Sequence, residues 1–301
     1  MKQHLLFLKW QPAFFLAGLM FFTSCKKDNN ANNPNNLPDA AIIEAAQTDA
    51  SASNQFDDVF NITMGVQASE AGEDIGLGTG GGILYKPAGT DGTLSPDSAR
   101  CYTVTVVPKI VRQFPKTITI DFGSGCLGKD GKLRKGKIIS IFTGPMFVPG
   151  SKTSTTFINY SVDSFKIEGT HTVENTSTSN KQAWDVQVIN GKITNTESGF
   201  WRKWEGVREH KQTQGNGTPL YLLDDVYEIT GNATGSNSNG NSWTSAITTP
   251  LIRKFTCGWI VKGQVTITRN SKSAVLDYGD GSCDDKATVT INGVTHIITL
   301  H

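Results

Sequence analysis

The sequence has no charge excess, no metal-ligand spacing and none of the short motifs that mark common enzymes. Its 28 Lys and Arg stand against 27 Asp and Glu, a net charge of +1, so it lacks the electrostatic footprint of a nucleic-acid binder. Histidine is scarce: five in 301 residues, and none of His171, His210, His296 and His301 sits in a His-Glu-x-x-His or at metal spacing with a second ligand. No Cys-x-x-Cys occurs, which leaves out redox motifs and zinc knuckles, and there is no Gly-x-Ser-x-Gly elbow. Gly76-Leu77-Gly78-Thr79-Gly80-Gly81 spells a dinucleotide fingerprint, but Ile83-Leu84-Tyr85-Lys86-Pro87 follows it where a helix is needed. Gly131 to Lys137 half-fits a phosphate loop, yet Ile138 stands where Ser or Thr would hold magnesium. Asp224, Asp225 and Glu228 are carboxylates of the kind a glycosidase pairs, without any spacing that fixes their separation. No catalytic residue and no cofactor are assigned on these grounds.

Long hydrophobic runs are also missing. The longest, Phe14 to Phe22, is shorter than the ~20 residues of a membrane span. It follows Lys2 and Lys9 and ends in the small residues Thr23-Ser24-Cys25, the order of a secretory signal. Phe22-Thr23-Ser24-Cys25 resembles a lipobox, in which the cysteine thiol is acylated before cleavage in front of it. The resemblance implies a signal peptide over 1–24, palmitate-type acyl chains on Cys25, and a lipid bilayer as partner. Lys26-Lys27-Asp28 is similar to the short export signals of surface lipoproteins in Bacteroidota-type bacteria, which implies an outer-membrane location with surface display. Removing residues 1–24 takes away two lysines and no acid, leaving 26 basic and 27 acidic side chains. Residues 29–36, six of them asparagine, have nothing large and apolar to bury, so residues 25–38 read as a lipidated cysteine and solvated tether.

Residues 39–70 read as a helical segment. Pro38-Asp39 suits a helix start, and Phe56, Val59, Phe60 and Met64 fall on one helical face. Ser51-Ala52-Ser53 is a candidate break, so one or two helices are expected. Their apolar stripe is assigned to packing on the sheet that follows, with a partner-binding helix as the competing reading.

Residues 71–301 read as a single, mainly β domain. Tyr102–Val107, Lys116–Ile120, Lys137–Phe142 and Ala287–Ile291 are rich in β-branched residues, and several alternate polar with apolar. Thr155 to Thr172 and Trp184 to Ile193 look like long strands. Asn190-Gly191 and Asn292-Gly293 are two-residue hairpin signals, and Lys129 to Lys132 and Gly235 to Asn241 further turns. The pattern predicts a large antiparallel meander of ten to twelve strands; barrel, sandwich and open curved sheet all fit the periodicity. Two stretches echo each other. Cys101 and Cys257 each precede an Asp-aromatic-Gly (Asp121-Phe122-Gly123, Asp277-Tyr278-Gly279) by 20 residues, and a second cysteine follows, Cys126 or Cys283. The four cysteines other than Cys25 allow three pairings. Cys101–Cys126 and Cys257–Cys283 are preferred because each hairpin unit, 101–126 and 257–283, brings its own ends together.

Two clusters are candidate ligand sites. Asp277, Asp280, Asp284 and Asp285 crowd a glycine-containing turn, as calcium ligands do; the competing reading is a solvated turn in which Asp277 bonds its own backbone. Phe200, Trp201 and Trp204 form the densest aromatic run, a candidate platform for a glycan, against ordinary strand packing. Asp97-Ser98-Ala99 matches a three-residue O-glycosylation site of exported Bacteroidota proteins.

Together with the lipobox and Asn-rich tether, FPKTITIDFGSGC and LDYGDGSCDDKATVTING resemble a family of uncharacterised cell-envelope lipoproteins of Bacteroidota-type bacteria. The resemblance implies an envelope location and supports the paired cysteine frames, and it carries no activity. The expected function is a membrane-anchored, non-enzymatic binding, adhesion or structural module with a glycan or envelope protein as partner. The competing expectation is a glycan-binding or glycan-hydrolysing lipoprotein.

Overall fold

The computed structural model describes residues 39–64 and 101–300, apart from 129, 179–180 and 219–221. Cys25, the tether, residues 65–70, the glycine run at 76–81 and Asp97-Ser98-Ala99 lie outside the described residues.

Residues Asp39–Met64 form one helix, α1. It contains neither glycine nor proline, and six of its residues are alanine. Ser51-Ala52-Ser53 does not break it. Serine weakens a helix by turning its hydroxyl onto nearby backbone, but here Arg202 donates to Ser51 Oγ (2.8 Å) and Arg208 to Ser53 Oγ (2.6 Å).

The strands among the other described residues form one antiparallel sheet of fourteen, more than the ten to twelve the sequence suggests. They are β1 (Thr103–Val107), β2 (Lys116–Asp121), β3 (Cys126–Leu127), β4 (Leu133–Phe142), β5 (Lys152–Val162), β6 (Phe165–Asn175), β7 (Ala183–Asn195), β8 (Trp201–Gln214), β9 (Val226–Asn237), β10 (Ser242–Lys254), β11 (Ile260–Arg269), β12 (Lys272–Asp280), β13 (Lys286–Ile291) and β14 (Val294–Thr299). Neighbours in sequence are neighbours in space throughout, except that the short β3 pairs only with β4, leaving β2 beside β4. The sheet is open and does not close into a barrel. The long segment from Thr155 to Thr172 is two strands, split at Asp163, whose φ is 52°.

One hairpin signal reads differently in three dimensions. Asn292-Gly293 is the β13–β14 turn, but Asn190-Gly191 sits inside β7 as a bulge. The β7–β8 register shifts between Val188 and Gly191, and Asn190 takes φ 52°. The same left-handed residue that closes a hairpin also accommodates the extra residue of a bulge, so the dipeptide alone does not separate the two. This and the other register shifts let long strands coil round α1.

The two cysteine units are hairpins as expected: β1–β2, with Cys101–Cys126 bonded, and β11–β12, with Cys257–Cys283 bonded. Asp121 and Asp277 each accept the N–H two residues on, from Gly123 (2.9 Å) and Gly279 (2.8 Å), while Phe122 and Tyr278 are buried between them. Among the described strands only the first unit lies at a sheet edge, because β13 and β14 extend the sheet beyond the second. Each bridge closes a loop of 25 or 26 residues. Replacing Cys257 and Cys283 together by serine is therefore expected to lower the unfolding free energy by about 3 kcal/mol in urea melts under oxidising conditions.

The core lies on the inner face of the sheet, around α1. Alternation puts Ile118 and Ile120 of β2, Val186 and Val188 of β7, Val265 and Ile267 of β11 and Leu276 of β12 inside, with Phe56, Val59, Phe60 and Met64 of α1. The helix is not merely laid on the sheet by one stripe. Its residues from Thr48 to Met64 are all buried, polar ones included.

Candidate functional site

The polar residues inside the sheet converge on α1. The helix carries Asp39, Glu44, Asp49, Asp57 and Asp58 and no basic residue. The surrounding inner face supplies Arg134, Arg202, Arg208 and Arg253, all buried. These arginines face inward because strand period two places them level with apolar neighbours: in β8, Arg202, Trp204, Arg208 and His210 point in while Lys203, Glu205 and Val207 point out.

At its N-terminal end, Glu44 receives the side-chain amides of Asn237, Asn239 and Asn241 at 3.0–3.3 Å. The asparagine-rich β9–β10 turn thus clasps the helix. Asp39 pairs with Lys272 at 3.1 Å, and Arg269, which also bonds Asn241, donates to the Ala41 carbonyl. One turn further in, a single oxygen, Asp49 Oδ1, accepts from Trp204 Nε1 (2.9 Å), Trp243 Nε1 (3.0 Å) and Ser245 Oγ (3.0 Å). Both indoles fit because Gly235 lies between them, opposite Trp204 on one side and Trp243 on the other. A Cβ on Gly235 would clash with the Trp243 ring. Trp204 also stacks on Phe56 of the helix, with ring centroids 5.8 Å apart.

Toward its C-terminal end the seat is ionic. Arg134 Nη2 meets both oxygens of Asp58 at 2.9 Å, while its Nη1 and Nη2 grip Asp130 at 3.0 and 2.6 Å. Lys132 adds a 3.0 Å contact to Asp58. Burial alone would push the Asp58 carboxyl up, but the Lys132 and Arg134 charges outweigh it and hold the group below the usual carboxylate range. Asp57 faces Arg253 at 3.4 Å and Arg208 at 3.9 Å. Arg202 faces Ser51 and the Phe165 ring, 5.1 Å from its centroid, and burial pulls its guanidinium down to about 10. His171 and His210 are buried with no hydrogen-bond partner on either ring nitrogen among the described residues. Burial pulls them to about 4 and about 3. Asp225, bonded by Tyr227 and Gln212 at 2.6 Å each, is pushed up to about 6 by burial.

The aromatic run is divided by the sheet. Trp204 is only 3 % exposed and belongs to the helix seat, so it is no part of a surface platform; as an inward position of β8, its indole is used up on Asp49 and Phe56. Phe200 is half-buried just before β8. Trp201 lies on the outer face with the ammonium groups of Lys192 and Lys203 at 5.9 and 5.8 Å from its ring, an arrangement of cross-strand packing. Trp184 and Trp243 are buried as well.

The acidic turn is divided too. Asp277 accepts from Gly279 N and Gln264, Asp280 from Ser282 N, and Asp284 from Lys286 N, while Asp285 pairs with the Lys286 ammonium. Asp277 thus bonds its own backbone, as the solvated-turn reading has it. No group of three or more His, Cys, Asp or Glu side chains is gathered as metal ligands would be among the described residues.

The helix seat itself was not singled out from sequence. Two signals point to it in retrospect: a 26-residue helix with acids and no base, and arginines at strand positions whose alternation requires them to face inward. The chain matches no family model, no curated protein and no solved structure.

Proposed function

We propose that this chain is an envelope lipoprotein held through acylated Cys25, with its β-body acting as a non-enzymatic binding, adhesion or structural module. The observation that carries this reading is the filling of the concave face. A curved sheet offers a ligand its inner surface, and here α1 occupies that surface and engages its charged side chains. Recognition then falls to the outer face, the turns and the edges. The secretory order of residues 1–25 and the resemblance to a lipobox support export, and two disulfides suit an oxidising compartment. Asp39 and Ala40 are exposed, so the chain leading back to Cys25 leaves from the surface. Its 14 residues reach at most ~50 Å, enough to hold the body clear of a bilayer.

Cells fed labelled palmitate are expected to label the wild-type chain and not Cys25→Ala, and the wild-type chain to fractionate with the outer membrane. Equal labelling of the two would end the lipoprotein reading. A glycan array probed with the purified protein is expected to show no saturable binding; binding abolished by Trp201→Ala would replace the structural reading with a glycan-recognising one.

A further inference from the structure

Among the described strands the open sheet ends at β14, and this edge has the chemistry of a strand-pairing site. Asn292 and Gly293 form a two-residue turn, so Ile291 and Val294 exchange both backbone hydrogen bonds, as do Val289 with His296 and Ala287 with Ile298. The Leu300 N–H bonding the Asp285 carbonyl at 2.7 Å continues the same series. Thr295, Ile297 and Thr299 therefore turn their N–H and C=O groups away from β13, and no described strand pairs with them. Edge strands of soluble proteins are usually protected by charge, proline or a bulge. Val294–Thr299 has none of these, and Ile297 is 79 % and Val294 58 % exposed.

We propose that β14 pairs antiparallel with β14 of a second copy about a two-fold axis, with Ile297 opposite its own copy. In this register Thr295 faces Thr299 of the other copy, so all three outward backbone positions are satisfied on both chains. On the outer face the two most exposed apolar side chains meet, and on the inner face His296 stands beside Ile298. No two like charges oppose each other, and the strand has no charge with which to select a foreign sequence. The self-match favours a second copy over another partner. A two-fold contact closes at the dimer, whereas β14 on the β1 edge of the next copy would propagate. The paired strand is short, so the dimer is weak and suited to chains held close together. This inference stands independently of the lipoprotein reading.

The test uses the full chain with Cys25→Ser, so that an introduced cysteine is the single free thiol. Residues opposite each other in a hydrogen-bonded antiparallel pair have Cα atoms about 5.5 Å apart, within disulfide range. Under mild oxidation Ile297→Cys is expected to give a covalent dimer. Thr295→Cys alone is expected to stay monomeric, and Thr295→Cys mixed with Thr299→Cys to give the mixed dimer. Without oxidant, Ile297→Lys, which sets two ammoniums against each other on an already exposed position, is expected to weaken self-association in sedimentation by about tenfold or more with an unchanged circular dichroism spectrum. The proposal is overturned if Ile297→Cys remains monomeric. It is also overturned if Thr295→Cys cross-links alone as readily as Ile297→Cys, or if the protein forms a ladder of higher oligomers, the mark of β1–β14 pairing.

Discussion

Replacing Asp58 by asparagine is expected to lower the unfolding free energy by about 3–5 kcal/mol. Arg134 is fully buried and shares its guanidinium between Asp58 and Asp130. Losing the Asp58 charge leaves a buried cation with Asp130 as its one remaining carboxylate among the described residues. Asparagine has nearly the volume of aspartate, so packing is preserved and the loss is electrostatic. Lys132→Met serves as the control. Its ammonium touches the same carboxylate from a partly solvated position, so its removal is expected to change stability by no more than about 1 kcal/mol. Urea denaturation of the three proteins measures both values. Equal stability of Asp58→Asn and wild type would mean that α1 is not seated on Arg134.

Acidification from pH 7.5 to pH 5 is expected to remove roughly 3 kcal/mol of stability. His171 and His210 have folded values of about 4 and about 3, against roughly 6.5 in an unfolded chain. Below 6.5 the unfolded state takes up protons that the folded state refuses. Their stabilising effect is thus complete above pH 6.5 and is lost as pH falls, at about 1.4 kcal/mol per unit for each. His210 faces Asp57 of α1, Arg208 of its own strand, Arg253 of β10 and His171 of β6. The carboxylate favours its protonation, the three basic groups oppose it, and burial decides the outcome. Asp225 works in the other direction. Its folded value of about 6 exceeds the unfolded value near 3.8, so the folded state gains a proton first and recovers about 1 kcal/mol by pH 5. Asp58 enters only at lower pH, because its value is depressed in the fold. His210→Leu is expected to reduce the pH slope between 6.5 and 5 by about half of the histidine contribution. A stability independent of pH across this interval would show that the two rings are hydrated.

These expectations rest on features of unequal legibility in sequence. The strands between Tyr102 and Ile291 were readable because β-branched residues alternate with polar ones, and that alternation follows from the pleat. The disulfides were readable because each cysteine unit is a local hairpin whose ends must return together. Continuity of α1 through Ser51 and Ser53 was not readable, since the groups that occupy the two hydroxyls come from Arg202 and Arg208, about 150 residues away. The choice between platform and packing for Trp204 was open in sequence for a related reason. Alternation puts Trp201 and Trp204 on opposite faces, but only the position of α1 decides which face is inside. The bulge at Asn190 and the Asn237–Asn241 clasp on Glu44 likewise depend on partners that local pattern does not name.

Taken by itself, the sequence determined the class of fold and favoured, among three possible pairings, the one the disulfides take; both follow from local periodicity and spacing. Tertiary structure decided that the sheet stays open, that it coils round an acidic helix, and that its inward arginines meet that helix, Arg134, Arg208 and Arg253 at its carboxylates and Arg202 at the Ser51 hydroxyl. Buried polar groups need hydrogen-bond or charge partners, and which partner reaches each of them is set by the path of the whole chain.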